Sequence, residues 1–471
     1  MLYWASLSVL MASLSAASDP LFAGRIDDAQ KSKSMLNLGI LFRTKPAIPD
    51  LQQTANFKSQ ERRPCPKTTL STNKMQMWRD YEGYEKSSGE PTSASASSFL
   101  LNHQPSTSHS YTLPITMAPQ KLKIAAAGLG RMGKRHAINF LNRTPRAELV
   151  AAFTPDPTEM AWAKVNLEPH GVKLYDDYQK MIEQEGLQAV VIGTATSVHA
   201  EEAIQAMQKD LHVLCEKPLS TSIEVCRQVV AEAKKRPHLK VMCGFSRRFD
   251  DSYRDAFSKT QQGAIGRPTI IRSQTCDKHD PSGFFVEYAA WSGGVFVDMS
   301  VHDIDLTLWF FGDEVIPKSV SAHGVRAVQP DLGKYNDYDN AVGIVEFWGG
   351  KIAYYYCSRM MAHGQEDTTE VIGTEGKLTV NGNPQSNLVN YYHSGGITRE
   401  VPAHYYGRFE MAFVQEANEF AEACLDNKPL PLKLTNAVRA VEIGAALQEA
   451  LVSGKQIRFD EIGRRIEEPK L

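Results

Sequence analysis

No run of eighteen apolar residues occurs anywhere in this chain, so nothing in it reads as a membrane-spanning helix. It also lacks a basic stripe or a Lys/Arg cluster interleaved with aromatics. Lys and Arg number 52 against 54 Asp and Glu, a formal net charge of −2, which argues against a nucleic-acid partner. Cysteine is sparse: seven, an odd number, scattered without C-x-x-C spacing. That pattern argues against a disulfide framework and a zinc site and suits a reducing, cytoplasmic setting. No internal repeat is present. What the chain does have is 471 residues, 42% hydrophobic and 23% charged, ample material for two packed cores.

Residues 1–116 differ in kind from the rest. Residues 1–17 are apolar with the small-residue end Ser15-Ala16-Ala17, yet no Lys or Arg precedes them as a secretory signal requires. Asp19, Asp27 and Asp28 break the acid-poor character of a mitochondrial leader. Beyond them lie Lys- and Ser-rich stretches without periodicity, a composition expected to be disordered. The segment reads as a low-complexity extension or an overlong gene model, with Met117 as a natural start. A dinucleotide-binding domain is then expected over 117–244, a substrate-binding and oligomerisation domain over 245–461, and a tail over 462–471.

The dinucleotide assignment starts at Lys121. A short apolar strand signal runs into Gly128-Leu129-Gly130-Arg131-Met132-Gly133 and then into a helical stretch, the context a G-x-G-x-x-G fingerprint needs. Gly128 permits the turn, Gly130 the approach of a pyrophosphate, and Gly133 close packing of helix on strand. A second strand ends at Thr154, where an acid that binds the ribose belongs, with Asp156 two residues later. A hydroxyl there removes the repulsion that excludes a 2′-phosphate, yet no Arg follows to grip one. NAD and NADP both stay open with a tilt to NADP, and Thr154→Asp is expected to shift preference toward NAD. Further strands end at Thr194 and at Glu216-Lys217-Pro218, with a helix expected from about Ala200. Strand and helix alternating at this spacing predict a doubly wound parallel sheet with ligands at its carboxyl ends.

Residues 293–305 read G-G-V-F-V-D-M-S-V-H-D-I-D. On one helix, Asp298 and His302 stand at i and i+4, where a carboxylate orients an imidazole and raises its basicity for abstracting a hydroxyl proton. Asp305 falls near the same face, but capping or ion pairing accounts for Asp303 and Asp305 without a metal, and no metal is expected. Past residue 245, strand signals at 263–273, 341–347 and 351–358, the last two joined at Gly349-Gly350, predict a largely antiparallel open sheet. Tyr354, Tyr355 and Tyr356 should alternate between its faces. Helical spacing returns over 409–451.

These motifs, in this order, resemble the Gfo/Idh/MocA oxidoreductases. They are residues 128–133, Thr194 with His199, Glu216-Lys217-Pro218, Gly244-Phe245-Ser246-Arg247-Arg248-Phe249-Asp250, Gly293-Gly294 with Asp298 and His302, and Gly373-Thr374-Glu375-Gly376. The resemblance covers roughly residues 121–459, and its inositol 2-dehydrogenase branch is the most similar. Thr154 departs from the acid usual in NAD-dependent members. The resemblance implies an α/β fold, an N-terminal Rossmann sheet plus a C-terminal α+β domain, and a homo-oligomer, dimer or tetramer. It implies hydride transfer between a cyclic polyol or sugar and NAD or NADP, with myo-inositol going to its 2-keto form as the leading substrate. His302 would be the base, Asp298 its partner or a substrate ligand, and Lys217 a bridge between cofactor and substrate that stabilises alkoxide character. Arg131, Met132, Thr194, His199 and Glu216 join the glycines and Thr154 around the cofactor, while Arg247 and Asp277 would contact polyol hydroxyls. Pro218 shapes its turn, with a cis peptide one option. An NADP-dependent sugar or trans-dihydrodiol dehydrogenase, an NAD-dependent glycosidase and a non-catalytic nucleotide sensor are the alternatives.

Overall fold

Apolar strands buried on both faces build the first half of the molecule. In β1 (Leu122–Ala127) only Lys123 is exposed, and in β4 (Ala189–Ile192) every residue is buried, as central parallel strands require. With β2 (Ala147–Phe153), β3 (Lys173–Tyr175), β5 (His212–Glu216) and β6 (Val241–Gly244) they form one parallel sheet in the order β3-β2-β1-β4-β5-β6. Helices α1 (Gly133–Asn142), α2 (Pro157–Asn166), α3 (Tyr178–Ile182), α4 (Thr196–Gln208) and α5 (Ile223–Lys235) make the crossovers. Cys215 and Cys243 sit opposite each other on β5 and β6 as fully buried core residues. The structure, a computed structural model, describes residues 120–467. The expectations for residues 1–116, for a start at Met117 and for 468–471 lie outside the described residues.

The second half pairs β7 (Pro268–Lys278), β8 (Pro317–Val325), β9 (Asn340–Phe347), β10 (Lys351–Met361), β11 (Glu366–Gly373) and β12 (Lys377–Val380). A separate hairpin, β13 (Asn390–His393) and β14 (Gly396–Arg399), follows. The short strands β15 (Ile457–Phe459) and β16 (Arg465–Ile466) then complete an eight-stranded sheet in the order β12-β11-β7-β10-β9-β8-β15-β16. Only β7 and β10 run parallel; the other pairs are antiparallel. Two expectations change here. Residues 465–466, assigned to a tail, form the last edge strand, because Asp460 turns the chain back: its N–H donates to the Arg464 carbonyl oxygen and its carboxylate accepts the Arg464 N–H. The two cores are also one continuous apolar cluster.

That continuity comes from helices. The short α7 (Phe284–Tyr288) has no buried residue, and one face of the sheet is covered by α6 (Asp251–Gln261), α8 (Val295–Asp298) and α9 (Val301–Phe311) together with α10 (Tyr405–Asp426) and α11 (Leu434–Ser453). The last two also reach back to the first sheet, where Phe413 meets the edge of the His136 ring and Arg227 pairs with Glu442. Residues such as Phe296, Leu447 and Tyr355 are fully buried there, and each large apolar side chain so buried contributes about 1.5–3 kcal/mol. Tyr355 faces inward and donates to Thr307, while Tyr354 and Tyr356 lie on the other face.

Candidate active site

The glycine turn is drawn tightly onto β4 and α1. A Cβ on Gly128 (φ +78°) would stand 2.6 Å from the Thr194 main chain, and one on Gly133 would stand 1.9 Å from the Gly128 carbonyl oxygen. Only glycine permits either approach. No side chain caps α1, whereas Asp156, Asp177 and Ser222 cap α2, α3 and α5. In its first turn the Lys134 and Arg135 N–H groups bond the Gly130 and Met132 carbonyl oxygens, and the positive end of the helix faces the glycine turn, where it favours an anion. These residues fit a dinucleotide pyrophosphate.

A cavity of about 380 Å³ opens beside this turn. Arg131, Met132, Glu216, Lys217, Asp277, Asp298 and His302 line it; Thr154, Thr194, His199 and Arg247 do not. Lys217 directly follows β5, and its peptide to Pro218 is cis. Its Nζ donates to the Asp298 main-chain oxygen at 2.9 Å and lies 3.5 Å from Oδ1. Arg359 Nη2 donates to Asp298 Oδ2 at 2.6 Å, and the Tyr288 hydroxyl donates to Oδ1 at 3.2 Å. Burial works against the Asp298 charge, but Lys217, Arg359 and Arg131 outweigh it and hold the carboxyl below its ordinary range.

The single helix expected over 293–305 is two. Gly294, with φ +91°, precedes α8, and a turn at Met299-Ser300 separates it from α9. Asp298 and His302 therefore do not form a dyad: the carboxylate is taken by Lys217, Arg359 and Tyr288. His302, 5% exposed, instead stacks on Tyr405 with centroids 5.0 Å apart, its Nδ1 3.4 Å from the Tyr405 hydroxyl. Burial, then the Lys217 and Arg247 charges, push its pKa well below the ordinary 6.5, opposite in sign to the effect of a carboxylate partner.

Arg247 departs furthest from expectation. It is 1% exposed and donates to Asp303 Oδ1 at 2.8 Å and to Asp367 Oδ1 and Thr275 Oγ1, both at 2.7 Å. Burial pushes Asp367 up to about 7 against the pull of Arg247. Arg248 makes a forked pair with Asp305, with both bonds at 2.8 Å. Among the described residues no group of three His, Cys, Asp or Glu is placed to hold a metal. Arg247→Leu strands two buried carboxylates and is expected to lower unfolding free energy by about 3–5 kcal/mol. Denaturant unfolding measures that loss; a purely substrate-contacting arginine would change KM and leave stability alone.

His199 is also internal. Its ring nitrogens lie 2.9 Å from the Pro218 oxygen and 3.1 Å from the Thr194 oxygen, tying the ends of β4 and β5 together. The helix carrying it starts at Thr196, a turn earlier than expected. Thr194 donates to Glu202 at 2.6 Å. Glu216 is bonded to His136 Nε2 at 2.7 Å; burial opposes its charge, but His136, Lys217 and His199 keep its pKa lowered. Asp277 lines the cavity near Arg359, and burial raises its pKa. Thr154 is buried and donates to Glu159 at 2.5 Å, while Asp156 is spent capping α2.

Sequence reasoning missed Tyr288, Arg359 and Tyr405. A signal existed for one of them. Arg359 shares strand parity with Tyr355 and Cys357, both core residues, so it points inward. Tyr288 and Tyr405 sit on a short helix and at a helix start, where periodicity carries no information.

A parallel sheet with an uncapped glycine turn, opening on a cavity where a lysine, a carboxylate and a neutral histidine meet, defines the class as a dinucleotide-binding oxidoreductase. Residues 122–245 match the oxidoreductase family, NAD-binding Rossmann fold, and residues 253–379 match the GFO/IDH/MocA C-terminal domain. The chain belongs to the Gfo/Idh/MocA oxidoreductase family. It is similar to scyllo-inositol 2-dehydrogenase (NAD(+)) of Bacillus subtilis, 32% identical over 343 residues, covering 72% of this chain and 97% of that protein. Myo-inositol 2-dehydrogenase of Thermotoga maritima is 28% identical, with 72% and 99% covered. Among solved structures, scyllo-inositol dehydrogenase from Lactobacillus casei with bound NAD(H) and scyllo-inositol superposes with a TM-score of 0.68 at 33% identity, covering 72% of this chain and 99% of that one. Among the described residues no helix is long and apolar enough to cross a membrane.

Proposed function

We propose that this chain is an NAD-dependent inositol 2-dehydrogenase, oxidising one ring hydroxyl of a cyclic polyol to its ketone. The observation that carries the reading is the meeting of Lys217, Asp298 and His302 in one cavity at the carboxyl end of the parallel sheet. The names of the relatives support an inositol over other polyols. A bound NAD would supply the hydride acceptor for the carbinol carbon. The residues that would hold it are Gly128, Gly130 and Gly133 at the positive end of α1.

Every other part of the chemistry falls to side chains. His302, kept neutral by burial and by two nearby cations, accepts the hydroxyl proton at Nε2, the ring nitrogen that Tyr405 does not engage. Lys217 stabilises the negative charge that grows on the substrate oxygen as the C–H bond breaks. Asp298, clamped by Arg359 and Tyr288, holds Lys217 in position and accepts a second substrate hydroxyl. Asp277 receives a further ring hydroxyl from the β7 side.

The chain acts in this reading as a homo-oligomer, a dimer or tetramer. Ile270, Ile344 and Ile352, each about two-fifths exposed on the open sheet face, supply an apolar patch for a second copy. A cytoplasmic setting is supported by the six cysteines among the described residues, which are free thiols, five of them buried. The test is a panel of inositols, aldoses and dihydrodiols incubated with NAD and with NADP, read by absorbance of the reduced nicotinamide. Turnover of an inositol is the expected result. Turnover confined to aldoses or dihydrodiols would replace the substrate, and dinucleotide binding without any turnover would make the chain a nucleotide sensor.

A further inference from the structure

We infer that Glu159, on α2, is the acid that reads the adenosine ribose in place of a residue at the end of β2, and that it makes the chain selective for NAD over NADP. This deepens the proposed function and rests on its placing of a dinucleotide at the glycine turn. β2 ends next to a threonine, which carries no charge to meet a ribose diol or to repel a 2′-phosphate. The Thr154 hydroxyl accepts the Asp156 N–H at 3.2 Å and donates to Glu159 Oε2 at 2.5 Å, so its proton is committed to that carboxylate. The main-chain N–H of Leu129, the second residue of the glycine turn, donates to the same oxygen at 3.2 Å. A Cβ on Gly130 would stand 3.3 Å from Glu159 Oε1.

One carboxylate is thus held at once by the strand end where the fingerprint expects an acid and by the turn that must meet the cofactor. The local sequence puts it there. Asp156 caps α2 by accepting from the Thr158 and Glu159 N–H groups at 2.8 and 2.9 Å, and Pro157 opens the first turn. Glu159 then falls in that first turn with its side chain leaning back toward the glycine turn. A carboxylate so fixed accepts two hydrogen bonds from a vicinal diol and repels a phosphate. Two cations flank this corner, and neither is paired with the Glu159 carboxylate. Arg131 lines the substrate cavity, and Lys134 rests its ammonium 5.1 Å over the Trp162 ring.

The expectation that Thr154→Asp strengthens NAD selectivity is reversed by this geometry, because a new carboxylate would be placed against an existing one. The test measures dissociation constants of NADH and NADPH for the full chain by nicotinamide fluorescence, without polyol. Wild type is expected to favour NADH. Glu159→Gln should narrow the NADH/NADPH affinity ratio by roughly 10- to 100-fold, the scale of losing charged hydrogen bonds. Thr154→Asp alone should not widen it, whereas Glu159→Ala combined with Thr154→Asp should recover it by returning the acid to β2. A merely structural role for Glu159 would not be rescued in that way. An affinity ratio unchanged in Glu159→Gln, or no rescue by the double variant, overturns the inference. Because no polyol enters the assay, failure of the substrate panel would sink the proposed activity and leave the affinity ratio to judge Glu159.

Discussion

Lys217→Met is expected to lower the rate of polyol oxidation by about 10²–10³-fold, the scale of removing one donor aimed at a developing oxyanion. The dinucleotide should still bind, since the glycine turn and the uncapped start of α1 are untouched. Lys217 earns this weight by position. Its ammonium is fixed between the Asp298 carbonyl and carboxylate at the end of β5, in a part-buried site where a charge acts at short range. Methionine keeps the stem volume and removes the charge. Stopped-flow separation of NADH binding from turnover checks the result, and a variant turning over within a few-fold of wild type would move the alkoxide-stabilising role elsewhere. A second readout follows, because Lys217 is the largest charge holding the His302 pKa down. In Lys217→Met the acid limb of the pH profile should move to higher pH.

His302→Asn is expected to cost about 10²–10⁴-fold in kcat, the usual worth of a positioned base. The pH dependence distinguishes a base from a packing residue. Oxidation requires the neutral ring, and burial lowers the His302 pKa well below 6.5, with Lys217 and Arg247 adding to the effect. As far as His302 is concerned, oxidation should be level from pH 6.5 upward and fall only in acid. Reduction of the ketone requires the protonated ring, so its rate should climb as pH falls. Both limbs should vanish in His302→Asn. An unchanged acid limb in that variant would assign the titration to another group. The same shift carries a stability cost. Unfolding returns the ring to its ordinary value, so the unfolded chain binds more protons between the lowered pKa and 6.5. The contribution is complete above 6.5 and is lost as pH falls through that window.

The sign of that shift shows where reading along the chain stopped working. The i, i+4 spacing of Asp298 and His302 predicted a carboxylate that raises histidine basicity. The turn at Met299-Ser300 splits the helix, and Arg359 from β10 takes the carboxylate. Arg247 failed for a related reason. Its partners Asp303 and Asp367 lie 56 and 120 residues away, and no local pattern announces such pairing. Glu159 was missed because an acid was sought at a strand position, while the chain delivers its carboxylate from the next helix.

The sequence by itself determined the parallel sheet, its glycine turn and the ligand end of its strands, and it brought Lys217, Asp298 and His302 forward as candidates. Those features are local: hydrophobic period, turn chemistry and the lack of a Cβ act within a few residues. Tertiary structure decided which charges meet. Whether Asp298 serves His302 or Lys217 and whether Arg247 faces substrate or core each depend on partners far apart in the chain. Burial then sets the price of leaving any of these charges unpaired, and that energy, absent from an extended chain, selects one arrangement.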